Sequence, residues 1–324
     1  LNVASFGFAG TGVIDVTGGT LTQSGSAALF VGGNAGSATL TVGTGGVFNT
    51  GTGLATIGNT GLVNVAGTLN FNGDILVDGG LLTQSAGAFS WAGGHTMTIQ
   101  GGGLLSLPGS YITPAGVIIV TGTNSQLYDT GATADFRVLN GASVSVVARA
   151  TLRSDSFIDV GNGTLTVSGL LSTLTSSGSG RESVIANGAA TTSTLTLSAG
   201  ATGLIPNGLR VGNLGNGTVN ILSSAALTTG PVDIASITNT IGVVNVTGGT
   251  LTQSGAATLT IGAASLSTGT LVLGAAGVYT TGTGLTSINA TGILQIAAGT
   301  LNQNADIPLT GASLTLSSAT FNWA

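Results

Sequence analysis

A chain of 324 residues would fill two ordinary globular domains, but only 5% of these residues are charged, with a net charge of −5, against roughly 25% charged in a typical soluble domain. There is no lysine, no cysteine and one histidine, while glycine alone supplies 57 residues. Disulfides, thiolate metal sites and cysteine nucleophiles are excluded, nucleic-acid binding is disfavoured, and a hydrophobic content of 42% argues against disorder.

From Val13 to Leu107 the chain reads as short strands punctuated by glycine: VIDV, TLTQ, ALFV, TLTV, VFNT, LATI, LVNV, TLNF, DILV, LLTQ, AFSW, TMTI and LLSL. Alternation of apolar and polar residues, bounded by Gly, Asn and Ser, is a strand pattern. No window carries the apolar stripe of a helix. The most apolar run, GVIIV at 116–120, is strand-sized and falls far short of the ~18 residues of a spanning helix, so no membrane span is expected. The chain starts at Leu1 without a basic and apolar leader, so a mature or partial chain is expected. From 108 the GTLT phrase thins out, and nine of the fifteen charges fall between Asp129 and Glu182. From 241 the opening returns: VVNVTGGTLTQSG answers VIDVTGGTLTQSG, VYTTGTGL (278–285) answers VFNTGTGL (47–54), and Trp323 in TFNWA answers Trp91 in AFSWA.

Such self-similarity names the architecture before any site is considered. The strands are too short, too many and too alike for one sandwich. They predict an all-β, right-handed parallel β-helix of about 13–16 coils, at roughly 20–25 residues per coil. With ~4.8 Å between coils, the rod is on the order of 60–80 Å long. Residues 1–107 form a first repeat block, 108–240 diverged and more charged coils, and 241–324 a second copy, all in one continuous solenoid.

ALFVGGNAGSATLTVGTGGVFNTG (28–51), LRVGNLGNGTVNILSSAALTTG (209–230) and LTIGAASLSTGTLVLGAAGVYTTG (259–282) share L-x-[VI]-G, a small polar turn, then [GA]-T-[LV]-x-[VIL]. This resembles the glycine-rich β-strand repeats of autotransporter passengers and other large exported bacterial surface proteins. The resemblance implies export to the cell surface and a β-helix; such families include adhesins, structural fibres and a minority of enzymes. It carries no site motif.

The residues offer little chemistry. Asp74 and Asp78, and Asp155 and Asp159, are i, i+4 pairs, which on a strand lie about 13 Å apart, beyond the ~5–9.5 Å of paired glycosidase acids. A lyase-like site would want basic residues near clustered acids, and Arg149, Arg153, Asp155 and Asp159 are the neighbourhood read as offering this; they mark a candidate ligand site. His95 stands alone in GGHTMT, and a solvent-facing position is expected. GGNAGSATL (32–40) has Ser37 where a calcium repeat needs aspartate. No catalytic residue, metal or cofactor is therefore expected. The TLT phrases at 20–22, 39–41, 164–166 and 250–252 would make a flat threonine array if stacked, the surface of an ice binder, although threonine's β propensity explains them equally.

Neither terminal stretch reads as a cap of charge or proline. Leu1, Val3, Phe6 and Phe8 at one end, and Leu316, Phe321 and Trp323 at the other, form a candidate assembly interface. The expectation is an exported, non-enzymatic structural solenoid: a filament subunit or adhesin stalk, extracellular or on a bacterial surface. Its partner is itself, end to end, or further solenoid segments of one polypeptide, with surface glycans as a further candidate. The alternative is a carbohydrate-active β-helix with its site in 129–182.

Overall fold

The computed structural model describes residues 1–3, 10–33, 36–109, 111–131, 135–178, 180–262 and 265–324, with backbone only at 111–112. Alternating sequences with small turns cannot bury their apolar face alone, so they wind and stack. Two fourteen-stranded sheets run the length of the solenoid, and a third face is built from a four-stranded sheet followed by an eight-stranded one. The first sheet runs from Asn2–Val3 to Ser313–Ser317, and the second from Thr11–Val16 to Thr320–Trp323. The third face runs from Gly19–Thr22 to Ala88–Trp91, then from Tyr111–Ile112 to Thr286–Ile288. Neighbouring strands pair in parallel. Among the described residues no helix is long and apolar enough to cross a membrane.

Because side chains alternate along a strand, each inward position meets the same position one coil away. Val3 lies on Val31, Val31 on Ile57, Ile57 on Val77, and the column continues through Ile99, Val120, Val146, Val167, Leu197, Ile221, Val246, Leu273 and Ile296 to Leu316. From Val31 to Ile296 every member is fully buried, each contributing about 1.5–3 kcal/mol of hydrophobic burial. The thirteen steps define about 13 turns averaging about 24 residues, a rod about 60 Å long at the strand spacing of ~4.8 Å. Turn length varies: twenty residues separate Ile57 from Val77, and thirty separate Val167 from Leu197, in the charged middle.

The duplication is out of phase with the coil. In the first copy VIDV belongs to the second sheet and GTLT to the third face; in the second copy VVNV belongs to the first sheet and TLTQ to the second. GVFN and VYT, and AFSW and TFNW, shift by one face in the same sense. The transposable unit is a strand with its turn. In both copies the Gly46 or Gly277 amide donates to the carbonyl three residues back (2.9 Å each), and Gly43 or Gly274 donates to Val16 or Val246 (2.9 and 2.8 Å). A Cβ at Gly46 or Gly277 would overlap the same valine carbonyl oxygen. Each face reads the same inward alternation, so the sequence can move between faces without loss of core.

Candidate functional site

The third face differs from the other two from residue 136 onward, because its strands are only three residues long. An in–out–in strand of three presents one outward side chain per coil. These are in register: Arg137, Asp159, Val184, Arg210 and Asp233, then Thr260 and Ser287. Short strands thus align charges from coils 22–27 residues apart in single file along the rod.

A continuous polar network joins them. Arg137 Nη2 donates to Asp135 Oδ2 (2.6 Å), and its Nε lies 3.9 Å from Asp159 Oδ2. Asn187 Nδ2 donates to Asp159 Oδ2 (3.0 Å), and Asn213 Nδ2 to Asn187 Oδ1 (2.7 Å). Arg210 donates to Asn213 Oδ1 (3.4 Å) and Glu182 Oε2 (2.5 Å), and lies 3.8 Å from Asp233. Arg181 donates to Asp135 (3.3 Å), its guanidinium 3.9 Å above the Phe157 ring. Asp159 is almost fully buried at 3% exposed. Burial raises its carboxyl pKa against the Asn187 hydrogen bond and the Arg137 charge. Burial also raises Glu182, opposed by Arg210.

Behind this face, at the corner leading from the second sheet, lies a buried polar pocket of core. Ser154 Oγ donates to Asp129 Oδ2 (3.4 Å), and burial pushes the Asp129 carboxyl up to about 6, against backbone amides of Gly131 and Gly109. Further along the same corner the Tyr279 hydroxyl donates to Gln253 Oε1, satisfying a phenol with no solvent access.

The candidate residues fall in different places. Asp159 joins the third-face network. Arg153 pairs with Asp155 (2.7 Å) beside the second sheet and lies 5.7 Å from the Tyr128 ring centroid. Arg149 occupies the turn between the first two sheets at φ 72°, its amide donating to Ser172 Oγ. None of these three hydrogen-bonds or ion-pairs with Asp159 among the described residues. Asp159 finds Arg137 and Asn187, one coil away on either side, and sequence reasoning passed over both of these, as it did Arg210 and Asn213. The signal of Arg137 and Arg210 was the outward middle position of FRV and LRV, whereas Asn187 and Asn213 lie in the turns two residues past SVI and LRV.

His95 is half-exposed, with Nδ1 3.2 Å from Asp74 Oδ1, which also accepts from the Thr96 amide (2.8 Å). The four TLT phrases do not stack: 20–22 lies on the third face, 39–41 and 250–252 on the second sheet, and 164–166 on the first. Of the terminal residues, Leu1 is exposed and Val3 buried, whereas Phe6 and Phe8 lie outside the described residues. Leu316 (52% exposed) and Trp323 (59%) are open to solvent, and the Phe321 and Trp323 rings sit 5.9 Å apart. Trp91, the counterpart of Trp323, is buried.

The fold and these faces define a parallel β-solenoid with a neutral surface and one charged lateral stripe. No protein-family model matches the sequence, nor does any curated protein sequence. A solved structure it resembles is the crystal structure of a TibC-catalyzed hyper-glycosylated TibA55-350 fragment, at 16% identity and a TM-score of 0.45, covering 96% of this chain and 99% of that one.

Proposed function

We propose that this chain is an exported, non-enzymatic structural solenoid: an adhesin stalk or filament segment at a bacterial cell surface. The observation that carries the reading is the unbroken aliphatic column from Val3 to Leu316, maintained through a duplication that changes face. A stack in which every coil is held by two continuous parallel ladders is a stiff spacer, and buried backbone is a poor protease substrate. The outward columns of the second sheet, such as Thr151, Thr173 and Thr202, and then Thr228, Thr252 and Thr280, give a neutral surface suited to the outside of a cell. Leu316 and Trp323 continue inward columns while open to solvent, and Phe321 continues another while only partly buried. A further coil, from a second copy or from the same polypeptide, would cover them as Trp91 is covered.

Antibody labelling and protease treatment of intact producing cells test this. The reading predicts labelling without permeabilisation and a protease-resistant core containing 10–310. Labelling seen only after permeabilisation would refute it.

A further inference from the structure

The third-face network leaves three buried polar atoms unmatched, two of them on residues that line one cavity. Asp159 Oδ1, Arg137 Nε and Arg210 Nε have no hydrogen-bond partner, although Asp159 Oδ2 accepts from Asn187, Arg137 Nη2 donates to Asp135, and Arg210 donates to Glu182 and Asn213. A buried unmatched carboxylate oxygen costs about 1–3 kcal/mol or more, and burial holds the Asp159 carboxyl above its ordinary pKa. Both residues line a surface cavity of about 290 Å³, with Gly161, Asn162, Asn187 and Thr191 among its other walls. Glycine at 161 keeps that cavity open, since a Cβ there would overlap Leu139 Cδ2 and lie 3.3 Å from Asp159 Oδ1. A second cavity of about 250 Å³ shares the Asn187 wall and adds Glu182, Arg210 and Asn213.

The lining chemistry selects a ligand class by elimination. A metal cation at Asp159 would meet the Arg137 guanidinium, 3.9 Å from the carboxylate. An anion would meet the unmatched carboxylate oxygen itself. An apolar ligand would strip water from the Asn140, Asn162 and Asn187 amides without replacing their hydrogen bonds. What satisfies an orphan acceptor and an orphan donor on the walls of one cavity, among amides, is a group that both donates and accepts. A hydroxyl does so, and adjacent hydroxyls do so repeatedly. We propose that Asp159, Arg137 and Asn187 form a binding groove for a neutral saccharide, extended along the rod axis by the cavity at Arg210 and Glu182 into an oligosaccharide site. Coils rise ~4.8 Å each, so successive sugar residues would meet successive outward side chains of the stripe. The groove does not depend on the stalk reading: a rod without a groove, or a groove on a protein that never reaches the surface, would overturn one and leave the other.

The test uses the purified 324-residue chain on an array of immobilised neutral and acidic oligosaccharides, with calorimetry on those retained and on calcium chloride. The variants are Asp159→Ala, Asn162→Trp and, on the second sheet, Thr252→Ala. Retention of a neutral oligosaccharide, weakened at least tenfold by Asp159→Ala and by Asn162→Trp but not by Thr252→Ala, is the expected result. Asn162 is exposed, so its replacement fills the groove without touching the buried carboxylate, and it decides the matter alone if Asp159→Ala fails to fold. Retention of acidic oligosaccharides only, binding unchanged in Asn162→Trp, calcium binding abolished by Asp159→Ala, or no retention at all would each overturn the proposal.

Discussion

Replacing Gly277 with alanine sets a methyl group against the Val246 carbonyl oxygen, about 1 Å inside the 3.0 Å that real Cβ contacts essentially never breach. The obstacle is backbone, so no side chain can swing aside. The turn must open, which disturbs the Gly277-to-Gly274 and Gly274-to-Val246 hydrogen bonds. Overpacking costs about 1–3 kcal/mol and each disturbed bond about 1 kcal/mol, offset by about 0.5–1 kcal/mol from alanine's lower unfolded-state entropy. The net loss is about 2–4 kcal/mol. In a solenoid each coil contacts only its neighbours, so the loss should be local. Hydrogen-exchange mass spectrometry should show protection falling at 241–280 and unchanged at 117–121. Gly46→Ala should repeat the effect around Val16, on a different face, whereas Gly18→Ala, with nothing within 4 Å, should stay within about 0.5 kcal/mol of the parent. If Gly277→Ala behaved like Gly18→Ala, the close turn contact, and with it the transposable strand-and-turn unit, would be wrong.

Two further outcomes follow from single residues. Burial raises the Asp129 carboxyl from an unfolded value near 4 to about 6, so the folded chain holds that proton more tightly. The associated stability is complete below pH ~4 and is lost as pH rises through ~6, by on the order of 3 kcal/mol; Asp159 and Glu182 shift in the same direction. Asp129→Asn should therefore raise the urea midpoint at pH 8 but not at pH 4, and an unchanged pH slope would contradict the burial argument. Leu171 sits at φ 64° and is 59% exposed, a left-handed conformation costing a branched side chain about 1–2 kcal/mol. Leu171→Gly should stabilise the chain by about 0.5–1 kcal/mol after glycine's unfolded-state entropy, and a destabilised variant would show that the leucine makes contacts that outweigh the strain.

Much of the architecture could be read directly. Alternation in VIDV, TLTV or LVNV predicts strands and their inward side, and the coil length predicts a turn count whose lower end the structure reaches. Phase was not readable. With turns of twenty to thirty residues, nothing in the sequence says which face a strand will occupy, so the four TLT phrases, alike in letters, scatter over three faces. The same uncertainty misdirected the site. Asp155 and Asp159 are close in sequence, but a corner intervenes and their partners differ. Asp159 meets Arg137 and Asn187, 22 and 28 residues away, a spacing that only coil register can reveal. Trp91 and Trp323 share a motif and differ in burial because one has a coil stacked on it and the other is open.

Negative-stain electron microscopy of the native material beside the isolated chain tests most directly whether this is a stiff rod stacked coil upon coil. Rods about 60 Å long for the isolated chain, with native stalks or fibres of the same thickness and several times that length, are the predicted result. Native particles that are globular, or no longer than the isolated chain, would contradict it.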